Sequence, residues 1–160
     1  MARRKKKKRK LGDELLAENR KAHHDYLILE EMEAGMVLVG SEVKSIRDRK
    51  ISIKEAFCQF RRGELFLMQA HIGEFPQAHA RNHAPLRSRK LLLHRRELDR
   101  WYGATKVQGL TIVPLAVYVR ARRLKLLIGL ARGKKHHDKR AAIKEREQNR
   151  EMQRALREHN

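Results

Sequence analysis

The sequence of 160 residues has only one cysteine, three prolines and 5% aromatic residues. A single cysteine, Cys58, excludes a disulfide framework and a zinc site built on thiolates. Its neighbour Phe57 lies in a predicted apolar strand. We therefore interpret Cys58 as a small buried hydrophobic residue and not as a nucleophile.

Long apolar runs are also absent. No run approaches the roughly 18 apolar residues that a membrane-spanning helix requires. The first residues are charged and no apolar segment follows them, which argues against a secretory signal. We therefore expect a soluble, cytoplasmic protein without a membrane partner.

Basic residues outnumber acidic ones at both ends of the chain, whose net charge is +20. Residues 1–10 contain eight basic residues and no acidic one, and residues 132–160 contain ten basic and five acidic residues. A basic body with basic ends is typical of nucleic-acid binding. A membrane-surface protein would need a basic helix with a broad apolar face, which neither end has.

The C-terminal segment has almost no residues that could form a core. From Ala141 onward it offers Ile143, Met152, Ala155 and Leu156, which are too sparse for one apolar stripe. We predict that residues 133–160 form a basic tail, disordered when free and helical on a polyanionic partner. Residues 1–18 are predicted to be a second disordered arm.

Between these ends the pattern indicates strands and short helices. It predicts a long strand from Tyr26 to Val39 with a bend at Gly35, and then a short helix capped by Ser41. A hairpin around Arg62-Gly63 follows, then a helix from about residue 87 to Gly103 that buries Leu91 and Leu92. A second hairpin contains Pro114, which marks an edge or a bulge.

This order predicts a mainly β fold. Several antiparallel strands with an inserted helix are the arrangement of an oligonucleotide-binding (OB) barrel. We expect residues 19–132 to form an OB-like antiparallel closed barrel with two or three short helices.

The sequence contains few arrangements of residues suited to catalysis or to metal binding. Gly133-Lys134-Lys135 lacks the upstream glycine and the Ser or Thr of a phosphate-binding loop. His79 and His83 are four residues apart, but no acidic third ligand lies in register. Adjacent histidines such as His23-His24 point apart, whereas cleavage of RNA needs an acid and a base at one phosphate. We expect no catalytic residues, metal or cofactor; an RNA-cleaving enzyme stays as an alternative.

Cations for binding RNA are concentrated at one predicted loop–helix junction. They are Arg87, Arg89, Lys90, Arg95 and Arg96, and they predict a surface for phosphates. A merely soluble helix face is the alternative. The RNA-recognition signature with its aromatic residues is missing, which favours recognition of a folded RNA through shape and backbone.

Four sequence blocks identify a family resemblance. The blocks are Lys21–Tyr26, Glu33–Ser45, Asn82–His94 and Gly133–Arg140. In order and spacing they resemble the signature blocks of the small protein B family, the bacterial SsrA (tmRNA)-binding proteins.

The resemblance implies an OB-like barrel that binds the tRNA-like domain of tmRNA. With elongation factor Tu, such proteins bring tmRNA to stalled ribosomes, where the tail occupies the small-subunit decoding centre and the empty mRNA channel. The nascent peptide is then tagged for degradation and the ribosome is rescued, in trans-translation. A ribosomal or ribosome-assembly RNA-binding protein is the alternative.

The resemblance also implies which residues act. For tmRNA they are Glu33, Leu92 and His94, to which we add the cations Lys44, Arg87, Arg89 and Lys90. For the ribosome they are the tail residues Gly133, Lys134, Lys135, His137, Asp138, Lys139 and Arg140. The chain departs from the family at Arg49, where glycine is usual, and at residues 78–81, whose loop geometry the family does not predict.

Overall fold

A computed structural model describes residues 12–134 and 136–158. In chain order its elements are β1 (Glu14–Glu18), α1 (Arg20–Asp25), β2 (Tyr26–Met36), α2 (Gly40–Arg47), β3 (Ile51–Ser52), β4 (Phe57–Arg61), β5 (Glu64–Met68), β6 (His71–Ile72), a 3-10 helix (Pro76–Arg81), β7 (Arg89–Leu92), α3 (Arg95–Gln108), β8 (Thr111–Arg120), β9 (Arg123–Gly133) and α4 (His136–Glu158). Across these two ranges, no helix is long and apolar enough to cross a membrane.

The strands form a closed antiparallel barrel. The order in the main sheet is β1-β8-β4-β5-β7-β2-β9, and an additional β8–β9 pairing closes it, while β3 and β6 form a separate pair. Closure leaves few free edges. The predicted mainly β, OB-like barrel is confirmed.

Both predicted hairpins are present. Arg62 and Gly63 join β4 to β5, and Ala121 and Arg122 join β8 to β9; all four residues have positive φ, as two-residue hairpin turns require. The β8–β9 register shifts between Pro114 and Ala116. This confirms the bulge expected at Pro114, which has no N–H to donate to the ladder.

The bulge in β2 is not where the sequence predicted it. The shift against β9 falls between Ile28 and Glu30, whereas Gly35 keeps regular pairing with Lys125 and Leu92. A Cβ on Gly35 would lie 3.2 Å from Leu92 Cβ. Gly35 therefore allows β7 to approach β2 closely and does not bend the strand.

The predicted cap of α2 is also wrong. Val39 is the N-cap residue, and its N–H donates to Glu42 Oε2 at 3.2 Å. Ser41 is buried one residue inside the helix, where its Oγ lies 2.9 Å from His83 Nδ1.

The largest correction concerns residues 87–103. The sequence predicted one helix from this point to Gly103, but residues 89–92 form β7, and α3 ends at Gly109 in a left-handed cap. Arg89 and Leu91 are buried while Leu92 is exposed, which is the alternation of a strand. Glu97 accepts the His94 N–H at 3.1 Å, which fixes the start of α3 after the strand.

The barrel interior is apolar and includes Trp101, Leu65, Leu67, Ile112 and Leu126. Cys58 is buried as predicted, and burial raises the pKa of its thiol. A protonated buried thiol is a poor nucleophile, so Cys58 acts as a core residue.

Arg49 has a left-handed backbone with φ 60°, which explains why glycine suits this position. Arg49 compensates with two contacts to β1. Its Nη1 donates to Leu15 O and its Nη2 to Glu14 Oε1, both at 2.8 Å. The 78–81 loop is the 3-10 helix, closed by Asn82 side-chain bonds to the Phe75 backbone.

The N-terminal end differs from the prediction. Residues 14–18 form β1 against β8 and are not a disordered arm; residues 1–11 lie outside the described residues. Residues 136–158 of the tail form the helix α4, the conformation predicted for the tail on a partner, and its disorder in the free protein stays a prediction. After Gly133 the chain has no glycine or proline and is rich in strong helix formers. As expected, α4 has no packed stripe, since Ile143, Met152 and Leu156 are 41%, 60% and 68% exposed.

Candidate nucleic-acid interface

The outer face of β2 and β7 carries Glu33 and Leu92, and His94 follows two residues after the end of β7. Gly35 lies opposite Leu92 in the ladder, and Glu33 is two residues before Gly35. The side chains of Glu33 and Leu92 therefore lie on the same side of the sheet. Leu92 is 52% exposed although it is apolar, and His94 is exposed directly after β7. An exposed leucine beside a carboxylate and an imidazole can contact both the apolar and polar edges of an RNA.

Glu33 is held in place from β8. It accepts a hydrogen bond from the Tyr118 hydroxyl, and Arg120 Nη1 lies 3.1 Å from Glu33 Oε2. Burial, together with the Glu33 carboxylate, raises the pKa of Tyr118 well above its usual range. Tyr118 therefore stays a hydrogen-bond donor and keeps the Glu33 carboxylate oriented at the surface.

A buried carboxylate organises the cations next to this face. Glu42 Oε1 and Oε2 each lie 2.9 Å from Arg87, and Arg89 Nε lies 3.1 Å from Oε1. Burial alone would raise the pKa of Glu42, but the bond from Arg87, the charge of Arg89 and the Val39 N–H hold it below its usual value. This cluster ties α2 to β7 and to the loop before it.

Arg89 is not on the surface. It is 0% exposed, and besides Glu42 it donates to the backbone oxygens of Ala70, Ala84 and Pro85 at 2.7, 3.3 and 3.1 Å. The prediction that Arg89 contacts RNA is therefore wrong for this structure. Its position in β7 has the parity of Leu91, which faces the interior.

The other cations around the face remain accessible. Arg87 and Lys90 are partly exposed, and Lys90 Nζ lies 2.8 Å from Glu64 Oε1. Lys44 is exposed with Nζ 5.3 Å from the centre of the Phe75 ring, and Arg95 is exposed beside Asp99 at 3.2 Å. Exposed ion pairs contribute about 0–1 kcal/mol, so a phosphate can replace these carboxylates.

The tail begins at the other end of β2. Gly133 lies opposite Tyr26, and the Lys134 N–H donates to Asp25 O at 2.9 Å. Lys134 Nζ lies 3.2 Å from His23 O, and Lys139 Nζ lies 3.6 Å from Asp25 Oδ1. The eight residues from Tyr26 to Glu33, seven steps of about 3.3 Å each, extend about 23 Å in a strand. The tail root and the Glu33 face are thus separate regions joined by one strand.

Asp25 is the centre of this tail root. His24 Nδ1 lies 3.0 Å from Asp25 Oδ1. The hydrogen bond from His24, followed by the charge of Lys139, lowers the pKa of Asp25 despite partial burial. An ionised Asp25 therefore holds the first turn of α4.

Three of the predicted tail residues cannot be placed in detail. Lys135 lies outside the described residues, and so do the side chains of His137 and Asp138. Arg140 is exposed on the first turns of α4.

A serine and a histidine are close together but have no catalytic geometry. His83 Nε2 lies 2.9 Å from Ile72 O, and a carbonyl only accepts, so Nε2 carries the proton and Nδ1 accepts from Ser41. Both residues are buried and join α2 to the loop after β6. Within residues 12–134 and 136–158, no cluster of three or more His, Cys, Asp or Glu side chains is placed to hold a metal ion.

Sequence reasoning missed Glu42 and Tyr118, which hold the predicted site residues Arg87 and Glu33 in place. Glu42 and Arg87 are 45 positions apart, and Tyr118 and Glu33 are 85 apart, so no local pattern links them. Asp25 was visible only as part of a family block. The alternation of β7 was the one available signal that Arg89 faces inward.

Comparisons with known proteins identify relatives of the chain. The family model described as "SmpB protein" matches residues 16–158. The SsrA-binding protein of Levilactobacillus brevis is 49% identical over 152 residues, which cover 95% of this chain and 97% of that protein. The SsrA-binding protein of Anoxybacillus flavithermus is 51% identical over 144 residues, covering 90% and 94%.

A solved structure is also similar. Its description reads "tmRNA-SmpB: a journey to the center of the bacterial ribosome", and its matching chain is 48% identical with a TM-score of 0.62. The match covers 75% of this chain and 85% of that one.

Proposed function

The chain belongs to the SmpB protein family, and from this premise we propose that it is the tmRNA-binding factor of trans-translation. It binds the tRNA-like domain of tmRNA and delivers it to stalled ribosomes, so that the nascent peptide is tagged for degradation. It acts in the cytoplasm, by binding and without catalysis or a cofactor.

The observation that carries the proposal is the separation of two RNA-compatible regions along β2. The Glu33–Leu92–His94 face, with Lys44, Arg87 and Lys90 around it, is suited to the folded tRNA-like domain. Elongation factor Tu accompanies the RNA in the delivery complex. Because the tail root lies at the opposite end of β2, the barrel can hold tmRNA while the tail contacts the ribosome.

The shape of α4 supports a role in the small ribosomal subunit. Its 23 residues form a rod of about 34 Å, basic and without an apolar face. Such a rod fits beside the decoding centre and in an mRNA channel only when no mRNA fills it. That steric rule selects ribosomes stalled on messages without a stop codon.

The RNA that co-purifies with the full chain tests the proposal. We expect tmRNA to be enriched far above its share of cellular RNA. Stoichiometric recovery with idle ribosomal subunits, without enrichment of tmRNA, would support a ribosomal or assembly protein instead. Fragments after incubation of purified protein with tmRNA would indicate an RNA-cleaving enzyme.

A further inference from the structure

A cavity of about 180 Å³ opens beside α1, at the end of the barrel where the tail begins. Its walls come from α1, the first residue of β2, the segment between β3 and β4, and β8. Neither the Glu33 face nor the described tail residues Gly133, Lys134, Lys139 and Arg140 line it. The cavity has no role in the function proposed above.

Two aromatic residues, Tyr26 and Phe57, line this cavity in a chain with only 5% aromatic residues. Phe57 is 41% exposed, whereas the next residue in the strand, Cys58, faces the opposite side and is buried. Ala22, Ala56 and Val113 add an apolar floor. Aromatic walls and an apolar floor suit a flat ring, and every nucleobase has a π face to stack on such a wall.

Two lysines stand at the same cavity. Lys21 Nζ lies 3.1 Å from Glu55 Oε1, but both side chains are more than half exposed, so this pair is weak. Lys54 is exposed and also lines the cavity. A base between the aromatic residues would place its phosphate within reach of these ammonium groups.

The position of Asp25 indicates which RNA could place a nucleotide in the cavity. Asp25 lines the cavity and also holds Lys139 of the tail at 3.6 Å. A nucleotide in the cavity would therefore lie beside the first turns of α4. It would lie at the opposite end of β2 from Glu33, where tmRNA is proposed to bind.

We propose that this cavity is a nucleotide-binding site that takes one unpaired nucleotide of the ribosomal RNA contacted by the tail. The base stacks on Phe57 and Tyr26, and Lys21 and Lys54 contact its phosphate. This inference rests on the proposed function, because it assumes that the tail enters the ribosome.

The test is a titration of the isotopically labelled full chain with each of the four nucleoside 5′-monophosphates, followed by NMR. A parallel titration uses inorganic phosphate alone. We expect saturable shifts at the amides of residues 21–26 and 54–57 with at least one nucleotide and not with phosphate. Absence of these shifts, or equal shifts with phosphate, would overturn the proposal.

Variants assign the effect to the cavity. Phe57→Ala should weaken nucleotide binding by at least about fivefold, the lower range for loss of one stacking contact. Tyr102→Ala is the matched control, because Tyr102 is also 41% exposed but packs on Phe60, away from the cavity. Equal affinity of Phe57→Ala and the parent chain would contradict the site. If Phe57→Ala does not fold, the surface variant Lys54→Glu tests the site instead. Its nucleotide affinity should be lower than that of the parent chain by at least about threefold.

The failure of this inference can be told apart from the failure of the proposed function. Phe57→Ala and Lys54→Glu should keep the affinity of the parent chain for the tRNA-like domain of tmRNA and reduce binding to vacant small subunits. If the parent chain binds tmRNA but no nucleotide enters the cavity, only this inference fails. If the parent chain does not bind tmRNA, the proposed function fails whatever the titration gives.

Discussion

Arg89 and Lys90 are neighbours in β7, but the strand places them in opposite surroundings. Arg89 is buried against Glu42 and three backbone oxygens, whereas Lys90 is partly exposed beside Glu64. The two residues therefore give a matched pair of substitutions. One reports on stability, and the other reports on RNA binding.

We predict that Arg89→Met destabilises the protein by about 3–5 kcal/mol, because it removes one of the two arginine partners of the buried Glu42 carboxylate and the buried bonds to three backbone oxygens. Urea denaturation of the two proteins measures this difference. A variant that is as stable as the parent chain but has lost RNA binding would contradict the assignment of Arg89 to the interior.

We predict that Lys90→Ala keeps the stability within about 0.5 kcal/mol, as surface substitutions generally do. The affinity for tmRNA should fall, and the slope of log affinity against log salt should flatten by about one unit for one lost phosphate contact. Binding measured at several salt concentrations tests this. An unchanged slope would remove Lys90 from the RNA surface.

The depressed pKa of Glu42 predicts acid sensitivity. A carboxylate whose folded pKa lies below its unfolded value, here the usual 4.5, stabilises the fold fully above that value. This stabilisation is lost as the pH falls through the lower, folded pKa. Below about pH 4.5, the free energy of unfolding should therefore depend less steeply on pH in Glu42→Gln than in the parent chain. Equal slopes in the two proteins would assign the acid sensitivity to other groups.

At the scale of elements, α4 buries little of its apolar surface. Ile143, Met152 and Leu156 are exposed, and among the described residues the contacts of Lys134 and Lys139 join its start to the barrel. Isolated helices depend on tertiary packing for most of their stability. We predict that amides of residues 141–158 exchange with solvent far faster than those of β8 and β9, as hydrogen-exchange mass spectrometry would measure, and become protected on small subunits. Protection equal to that of β8 in the free protein would contradict a tail that lacks support.

The contact of Asp25 with the tail predicts a separable defect. Asp25→Asn should reduce peptide tagging about two- to fivefold, the loss expected for a weak, partly exposed ion pair, while affinity for tmRNA stays unchanged. Glu14→Gln is the control, because Glu14 is also an exposed, paired carboxylate but contacts Arg49 in the body. A parallel loss of tmRNA affinity in Asp25→Asn would indicate general damage to the fold.

The elements differed in how far the sequence predicted them. The hairpins were predicted because their turns and alternation are local, and Pro114 marked its bulge. Residues 87–103 were assigned to one helix because a four-residue strand next to a helix start resembles one apolar stripe. Arg89 was assigned to the surface because its partner Glu42 is 47 positions away, and the short alternation of β7, the one local signal, was interpreted as part of a helix. The three residues Glu33, Leu92 and His94 came from the family resemblance, and the register of β2 and β7 explains why Glu33 and Leu92 lie on one side of the sheet.

At the scale of the whole molecule, β2 connects the two regions to which we assign separate functions. One end carries the Glu33 face and the other carries the tail root. The net charge of +20 attracts RNA of any sequence, so we propose that specificity comes from the placement of these regions and not from charge alone. Placement at two ends predicts that the functions can be separated.

The most direct test is a chain that ends at Lys134, which keeps the last β9 pairing and the hydrogen bond to Asp25 but lacks α4. Its affinity for tmRNA and its peptide tagging on stalled ribosomes are measured together. We predict tmRNA affinity within about twofold of the full chain and no tagging, because the barrel surface is intact and the probe of the mRNA channel is gone. Tagging by the shortened chain would contradict the account.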